Sequence, residues 1–230
     1  MIDLSQRIIA QEQMDAPHLP PATYAAVLQD LARVNQLTMA ARPTLAFLRR
    51  IARPGERLRI LDVGYGAGDM LRTIARWSAK HGISTELTGI DLNPHSAAVA
   101  HAATPPEMRI DFLTGDYANL GQRQWDVVLS SLVAHHMTRD ELVRFLQFME
   151  KEARKGWLVN DLLRHRFAHM GYPLLARMMG WHPIVREDGT LSIARSYRPQ
   201  EWPPILNSAG ITEARVFRAF PFRLCVERCR

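Results

Sequence analysis

The stretch from Arg59 to Asp69 reads Arg-Ile-Leu-Asp-Val-Gly-Tyr-Gly-Ala-Gly-Asp. An apolar run carrying one acid passes into glycines at every second position. Met70, Leu71, Ile74 and Ala75 then repeat at helical spacing. Strand, glycine turn, helix is the opening of a nucleotide-binding α/β unit. Such a turn lets a ligand lie against the backbone, so a side chain at Gly64 or Gly66 is expected to occupy the ligand's space. The spacing narrows the ligand. A dinucleotide fingerprint, G-x-G-x-x-G/A, would need a small residue where Asp69 stands, and no G-x-x-x-x-G-K-[ST] phosphate loop is present. Acids at both ends of the loop, Asp62 and Asp69, oppose pyrophosphate and suit a cation, such as a ligand with an amino group and a sulfonium.

Strand and helix patterns alternate from Leu58 onward, which argues for a doubly wound, mostly parallel sheet covered on both faces. Strands are expected at 58–63, 85–91, 108–113, 125–130 and 156–160. Asn93-Pro94 supplies a cap and a first-turn proline for the helix after the second strand. Thr138-x-x-Glu141 is a capping box for the helix after the fourth. Residues 1–56 precede this unit and carry two helical patterns, one opening at Pro20-Pro21 (Tyr24, Val27, Leu28, Leu31, Val34) and one near Pro43. Residues 162–196 interrupt the alternation with His, Met, Arg and aromatic residues, and are read as an inserted lid or pocket wall. A helix after Pro199 and a strand pair meeting at Phe220-Pro221 complete the chain.

Asp62-x-Gly64-x-Gly66-x-Gly68 resembles the first motif of the class I S-adenosylmethionine-dependent methyltransferases. The resemblance covers roughly 57–230 and implies a Rossmann-like, seven-stranded α/β sheet with an antiparallel C-terminal strand. It also implies an N-terminal helical cap (1–56, with Tyr24 toward the substrate). The cofactor would be S-adenosylmethionine, with S-adenosylhomocysteine as product. In open α/β sheets ligands lie beyond the carboxyl ends of the strands. On this chain the cofactor would therefore meet Asp62, Gly64, Tyr65, Gly66 and Gly68 from the first strand, and Asp91 and Leu92 from the second. Asp116, Tyr117 and Ser130 would follow from the third and fourth. Asp91 would take the ribose diol, Leu92 would lie against adenine and Asp116 would accept from its amino group.

The fourth strand ends in Ser131-Leu132-Val133-Ala134-His135-His136. Two histidines beside the reacting centre make His135 or His136 a candidate general base, with one pointing inward, His135 favoured, and the other away. Asn160 or Asp161 could hold a substrate hydroxyl or orient the base, and Arg164 could pair with an anionic substrate group. The segment also resembles the ubiquinone-biosynthesis-like small-molecule methyltransferases, including bacterial members that accompany polyketide synthases. The Asn-Pro-Pro-Tyr/Phe signature of enzymes that methylate amino groups of nucleic acids and proteins is absent. The expected reaction is methyl transfer to oxygen or carbon of a small aromatic or polyketide-like acceptor. The rival readings are an RNA- or protein-modifying methyltransferase and a non-catalytic cofactor-binding partner.

Charge is what motivates the first rival. The chain of 230 residues carries a formal net charge of +6. The arginines are spread along it instead of forming one basic run, which weighs against nucleic acid as a partner. No apolar run approaches the ~18 residues of a membrane span. No basic-then-apolar leader opens Met1-Ile2-Asp3-Leu4, and a cytoplasmic location is expected. Cys225 and Cys229 sit in a probable-strand pattern that suits neither a redox pair nor zinc. His165, His169 and His182 have no carboxylates at ligand spacing, so no metal is expected.

Overall fold

The computed structural model describes residues 3–16, 18–120 and 124–230, so Met1 and Ile2 of the N-terminal reading lie outside it. Helices α1 (Pro21–Leu37) and α2 (Ala41–Ile51) come first. The α/β unit follows as β1 (Arg57–Val63), α3 (Asp69–Lys80), β2 (Ser84–Asp91), α4 (Ser96–Ala102), β3 (Ile110–Thr114), β4 (Trp125–Ser131), α5 (Arg139–Glu152) and β5 (Ala153–Leu162). Two inserted helices, α6 (Arg166–Met178) and α7 (Pro183–Arg195), precede α8 (Trp202–Ser208), β6 (Arg215–Ala219) and β7 (Arg223–Cys229). The seven strands form one sheet in the order β3-β2-β1-β4-β5-β7-β6. β1 to β5 pair in parallel, and β7 runs antiparallel to both its neighbours.

Strand β1 is apolar on both sides because both its faces are covered. Ile60 and Leu58 join Phe47, Leu48, Leu71 and Ile74 on one face, and Leu61 and Val63 join Phe145, Leu146 and Trp202 on the other. Full burial of each such side chain stabilises by about 1.5–3 kcal/mol. On the first face α2 covers the sheet through Phe47 and Leu48. Helix α1 alone of the two reaches over the strand ends. It packs on the insert through Val27 and Val34 against Ala176, Trp181 and Val185.

The capping box forms as expected: Thr138 Oγ1 accepts from Glu141 N–H at 3.3 Å and Glu141 Oε2 accepts from Thr138 N–H at 2.7 Å. Asn93-Pro94 does not open α4, which begins at Ser96. Asn93 Oδ1 instead accepts from His95 N–H at 2.9 Å in a local turn. β5 extends beyond the expected five residues because β7 pairs with it from Gly156 to Leu162. Both cysteines lie on β7 and neither is in a disulfide.

Candidate active site

Strand order reverses beside β1, with β2 on one flank and β4 on the other, and ligands of open α/β sheets bind at such a point. A cavity of about 850 Å³ opens there. Gly64 turns the chain at φ +78°. A Cβ on Gly64 would come closer than 3.0 Å to Val133 Cγ2, whereas one on Gly66 would meet only Leu28 Cδ2, at 3.6 Å. Gly64 lines the cavity, and the collision with Val133 is a second constraint on it that the sequence did not show. That glycine lets the loop after β1 press on the loop after β4. A Cβ on Gly68 would likewise strike the Phe112 ring. Tyr65 lines the cavity with its ring packed on Phe112, centroids 5.0 Å apart.

Asp91 closes the loop from β2. Its Oδ2 accepts from Gly66 N–H and its Oδ1 from Asn93 N–H, both at 2.9 Å, which leaves further lone pairs on each oxygen. Leu92 is exposed on the cavity edge. Asp62 is buried, and its Oδ1 has no hydrogen-bond partner among the described residues. Burial first, then the nearby Asp69 and Asp91 carboxylates, push its carboxyl well above the usual range. Burial also raises Asp69, which accepts from Asn35 Nδ2 of α1 at 3.2 Å. Three carboxylates, one of them with an unpartnered oxygen, thus line one end of the cavity, an acceptor set that fits a cationic cofactor.

Other sequence-chosen residues fall elsewhere. Asp116 is exposed, does not line the cavity, and takes Ala118 N–H in a turn at 2.9 Å, while Tyr117 lines the cavity against Phe145. Ser130 points away, donating to Val63 O at 3.1 Å. Its neighbour Ser131 lines the cavity with a buried, unpartnered Oγ. Tyr24 lines the cavity on the α4 side, its hydroxyl 2.8 Å from Ser96 Oγ. Asn160 is buried away from the cavity, donating to Ala40 O at 2.8 Å and Thr44 Oγ1 at 3.3 Å. Arg164 does not await a substrate anion. Its buried guanidinium donates to Ser196 O and Glu201 Oε1 at 2.7 Å and to Leu4 O at 3.1 Å. The cavity's own buried cation is Arg223. Its Nη2 donates to Thr38 Oγ1 at 3.1 Å, while Nε and Nη1 have no partner among the described residues.

Both histidines line the cavity, so the expectation that one turns away is corrected. His135 is held by Asp161 twice: its backbone N–H donates to Oδ2 at 2.8 Å, and Nδ1 lies 2.7 Å from Oδ1. Burial pushes the Asp161 carboxyl up, but the His135 ring and the hydrogen bonds from His135 and Leu162 outweigh it and hold the acid below its usual value. The ionised acid fixes the proton on Nδ1 and leaves Nε2 as the free ring nitrogen. His136 is engaged likewise, Nδ1 lying 3.1 Å from Asp15 Oδ2.

Asp15, Glu12 and Arg7 belong to an irregular N-terminal segment with no periodicity that could have drawn attention to it. Arg7 donates to His135 O at 3.0 Å and Met137 O at 3.2 Å. Glu12 is buried against both histidines. Burial pushes its carboxyl up, partly countered by His136, Ser192 and Arg195. The rest of the wall is apolar, with Met14, Leu163, Phe167, Ile193 and Phe222 among its members.

Residues 60–156 match a family described as a methyltransferase domain. A ubiquinone biosynthesis O-methyltransferase of Paramagnetospirillum magneticum is 28% identical over 184 residues, 73% of this chain and 69% of that protein. One of Mesorhizobium japonicum is 29% identical over 171 residues, 71% of this chain and 63% of its own. Among solved structures, a SAM-dependent methyltransferase from Aquifex aeolicus superposes with a TM-score of 0.61 at 16% identity, covering 91% of this chain and 97% of that one. Human N-acetylserotonin methyltransferase in complex with SAM superposes with a TM-score of 0.65 at 17% identity, covering 97% and 60%. These superpositions establish the fold. The domain match, which spans the glycine loop and the strand-four end, makes residues 60–156 a methyltransferase domain.

Proposed function

We propose that the chain methylates an oxygen or carbon of a small, largely apolar acceptor, aromatic or polyketide-like, and that His135 takes the acceptor's proton. The observation that carries this reading is the His135–Asp161 pair, 2.7 Å apart at the ends of β4 and β5, on the wall of a largely apolar cavity. The named function of the bacterial relatives, O-methylation in ubiquinone biosynthesis, supports oxygen as the acceptor atom.

S-adenosylmethionine, when bound, supplies an electrophilic methyl on a cationic sulfur that leaves as a neutral thioether. The remaining work falls to the chain's own side chains. Asp91 offers its spare lone pairs to a ribose diol, with Leu92 and Tyr117 beside the base. The carboxylates of Asp62 and Asp69 offset the cofactor's positive charge. Helix α1, α6 and α7 wall the cavity from water and set the acceptor in line. His135 Nε2 accepts the proton as the acceptor's electron pair forms the new bond to methyl, and ionised Asp161 stabilises the resulting imidazolium. Arg223 holds a carboxylate or carbonyl oxygen of the acceptor.

The test compares wild type with His135→Ala and Asp161→Asn. Calorimetry measures S-adenosylhomocysteine affinity, and turnover is scored as S-adenosylhomocysteine formed from S-adenosylmethionine over a panel of catechols, resorcinols and α-pyrones. Cofactor affinity is expected to change by less than about threefold and turnover to fall by about 10²–10⁴. Undiminished turnover in His135→Ala would remove the base.

A further inference from the structure

We propose that Glu12, His135 and His136 form a binding site for one divalent first-row transition ion of the zinc class. Their ligand atoms lie within 4.8 Å of one another. His135 Nε2 is 3.6 Å from Glu12 Oε1, and His136 Nε2 is 3.6 Å from Glu12 Oε2. Those separations are too long for hydrogen bonds. The second, between His136 Nε2 and the Glu12 oxygen that stays open to an ion, is close to the edge of a tetrahedron with metal–ligand bonds of about 2.0–2.1 Å, which is about 3.3 Å.

The arrangement has a charge problem that an ion resolves. Each ring has its Nδ1 against a carboxylate, His135 on Asp161 at 2.7 Å and His136 on Asp15 at 3.1 Å. With the protons on Nδ1, both Nε2 atoms turn lone pairs toward a buried carboxylate. Lone pair facing lone pair across a buried gap calls for a cation between them. Imidazole with its far nitrogen held by a carboxylate is also the way protein metal sites orient their histidines.

The third ligand is held in place as well. Ser192 Oγ donates to Glu12 Oε1 at 2.8 Å and Arg195 Nη1 does so at 3.2 Å, which anchors one oxygen and leaves Oε2 for the ion. The adjoining Gln13 and Met14 N–H groups donate to Asp188 at 2.9 Å, which clamps the segment that brings Glu12 in. Two imidazoles and one carboxylate favour zinc, iron, cobalt or manganese over magnesium or calcium. All three residues line the cavity, so the ion's remaining positions open toward the acceptor.

This inference deepens the methyl-transfer reading and rests on it for its chemical consequence. Ion and proton compete for Nε2 of His135. With the ion bound, an acceptor hydroxyl coordinates it, its O–H proton passes to water at a lowered pKa, and the oxygen lone pair is freed for the methyl group.

The test uses the full-length protein after metal stripping. Zn²⁺ and, in parallel, Mg²⁺ are titrated calorimetrically into wild type, Glu12→Gln, His136→Asn and Asp15→Asn, each first shown to be folded by its S-adenosylhomocysteine binding. One Zn²⁺ per chain is expected, with no Mg²⁺ heat. Affinity should fall at least 100-fold in Glu12→Gln and His136→Asn, and about 10–100-fold in Asp15→Asn, which loses only a supporting contact. Co²⁺ should give visible bands that vanish in Glu12→Gln. Absence of stoichiometric Zn²⁺ binding, or binding undiminished in both ligand variants, overturns the site. Turnover of the stripped protein separates the two claims. Loss of turnover in His135→Ala without zinc binding defeats the ion alone. Zinc binding with stripped-protein turnover indifferent to His135 defeats the base alone.

Discussion

Gly64→Ala tests the packing of the two loops that meet at the site. Two costs are expected. Alanine at φ +78° is strained by about 1–2 kcal/mol. Its Cβ also lies closer than 3.0 Å to Val133 Cγ2, an overpacking of about 1–3 kcal/mol. Gly66→Ala is the reference, because it shares the left-handed backbone at φ +51° but meets Leu28 Cδ2 at an ordinary 3.6 Å. It should cost only the strain. Val133→Ala removes the colliding methyl and leaves Val133 Cβ 3.5 Å from the new Cβ, an ordinary contact. The Gly64→Ala/Val133→Ala double variant should therefore recover about 1–3 kcal/mol relative to the sum of the singles. Urea unfolding of the four proteins measures this directly. In thermal melts Gly64→Ala should lie below Gly66→Ala by about 2–12 °C, at about 2–4 °C per kcal/mol for a chain of this size. Equal destabilisation by the two glycine variants, or a coupling within ~0.5 kcal/mol of zero, would refute the contact between the loops.

Two further outcomes follow from buried charges. Arg164→Met removes a guanidinium that ties β5 to the N-terminal segment and to Glu201, so it should destabilise by about 3–5 kcal/mol and speed proteolysis before residue 20, with cofactor affinity unchanged in the folded fraction. Asp62, whose carboxyl is raised by burial and by Asp69 and Asp91, binds more protons folded than unfolded, so the cofactor-free protein should lose stability as pH rises from about 4 through its folded value. Asp62→Asn should flatten thermal melts across that window, and equal slopes in the two proteins would show that Asp62 does not titrate there.

The glycine loop was legible because backbone geometry dictates it. Positive φ at Gly64, Gly66 and Gly68 and a buried apolar strand leave direct marks in the residue types. Asp91 was legible for the same reason, since it ends a strand in register with that loop. The choice of Ser130 over Ser131 failed by one residue. Successive strand side chains face opposite ways, so placing a strand's last residue off by one exchanges the cavity for the sheet's back. Asn160 and Arg164 failed differently. A polar side chain near a strand end is equally suited to a ligand or to securing another segment, and the securing partners, Ala40 and Leu4, are far away in sequence. Glu12 and Asp15 left no mark at all, because only side-chain contacts with α7 and the histidines position them.

The distribution of charge between surface and cavity bears on what the site can bind. The chain's net charge of +6 taken alone points to an acidic partner. The cavity has the opposite balance. Asp62, Asp69 and Asp91 line one end, and Glu12 and Asp15 line the wall beside the paired histidines with Asp161 behind His135. Arg223 is the buried cation among the described lining residues. Charges a few ångströms away across a poorly solvated gap outweigh spread surface charges screened by salt within about 8–10 Å. The local field therefore favours a cationic cofactor at one end. At the other it favours a positively charged group, such as a divalent ion. The surface excess of arginine acts on approach and solubility, while the field inside the cavity is set by these six carboxylates and Arg223.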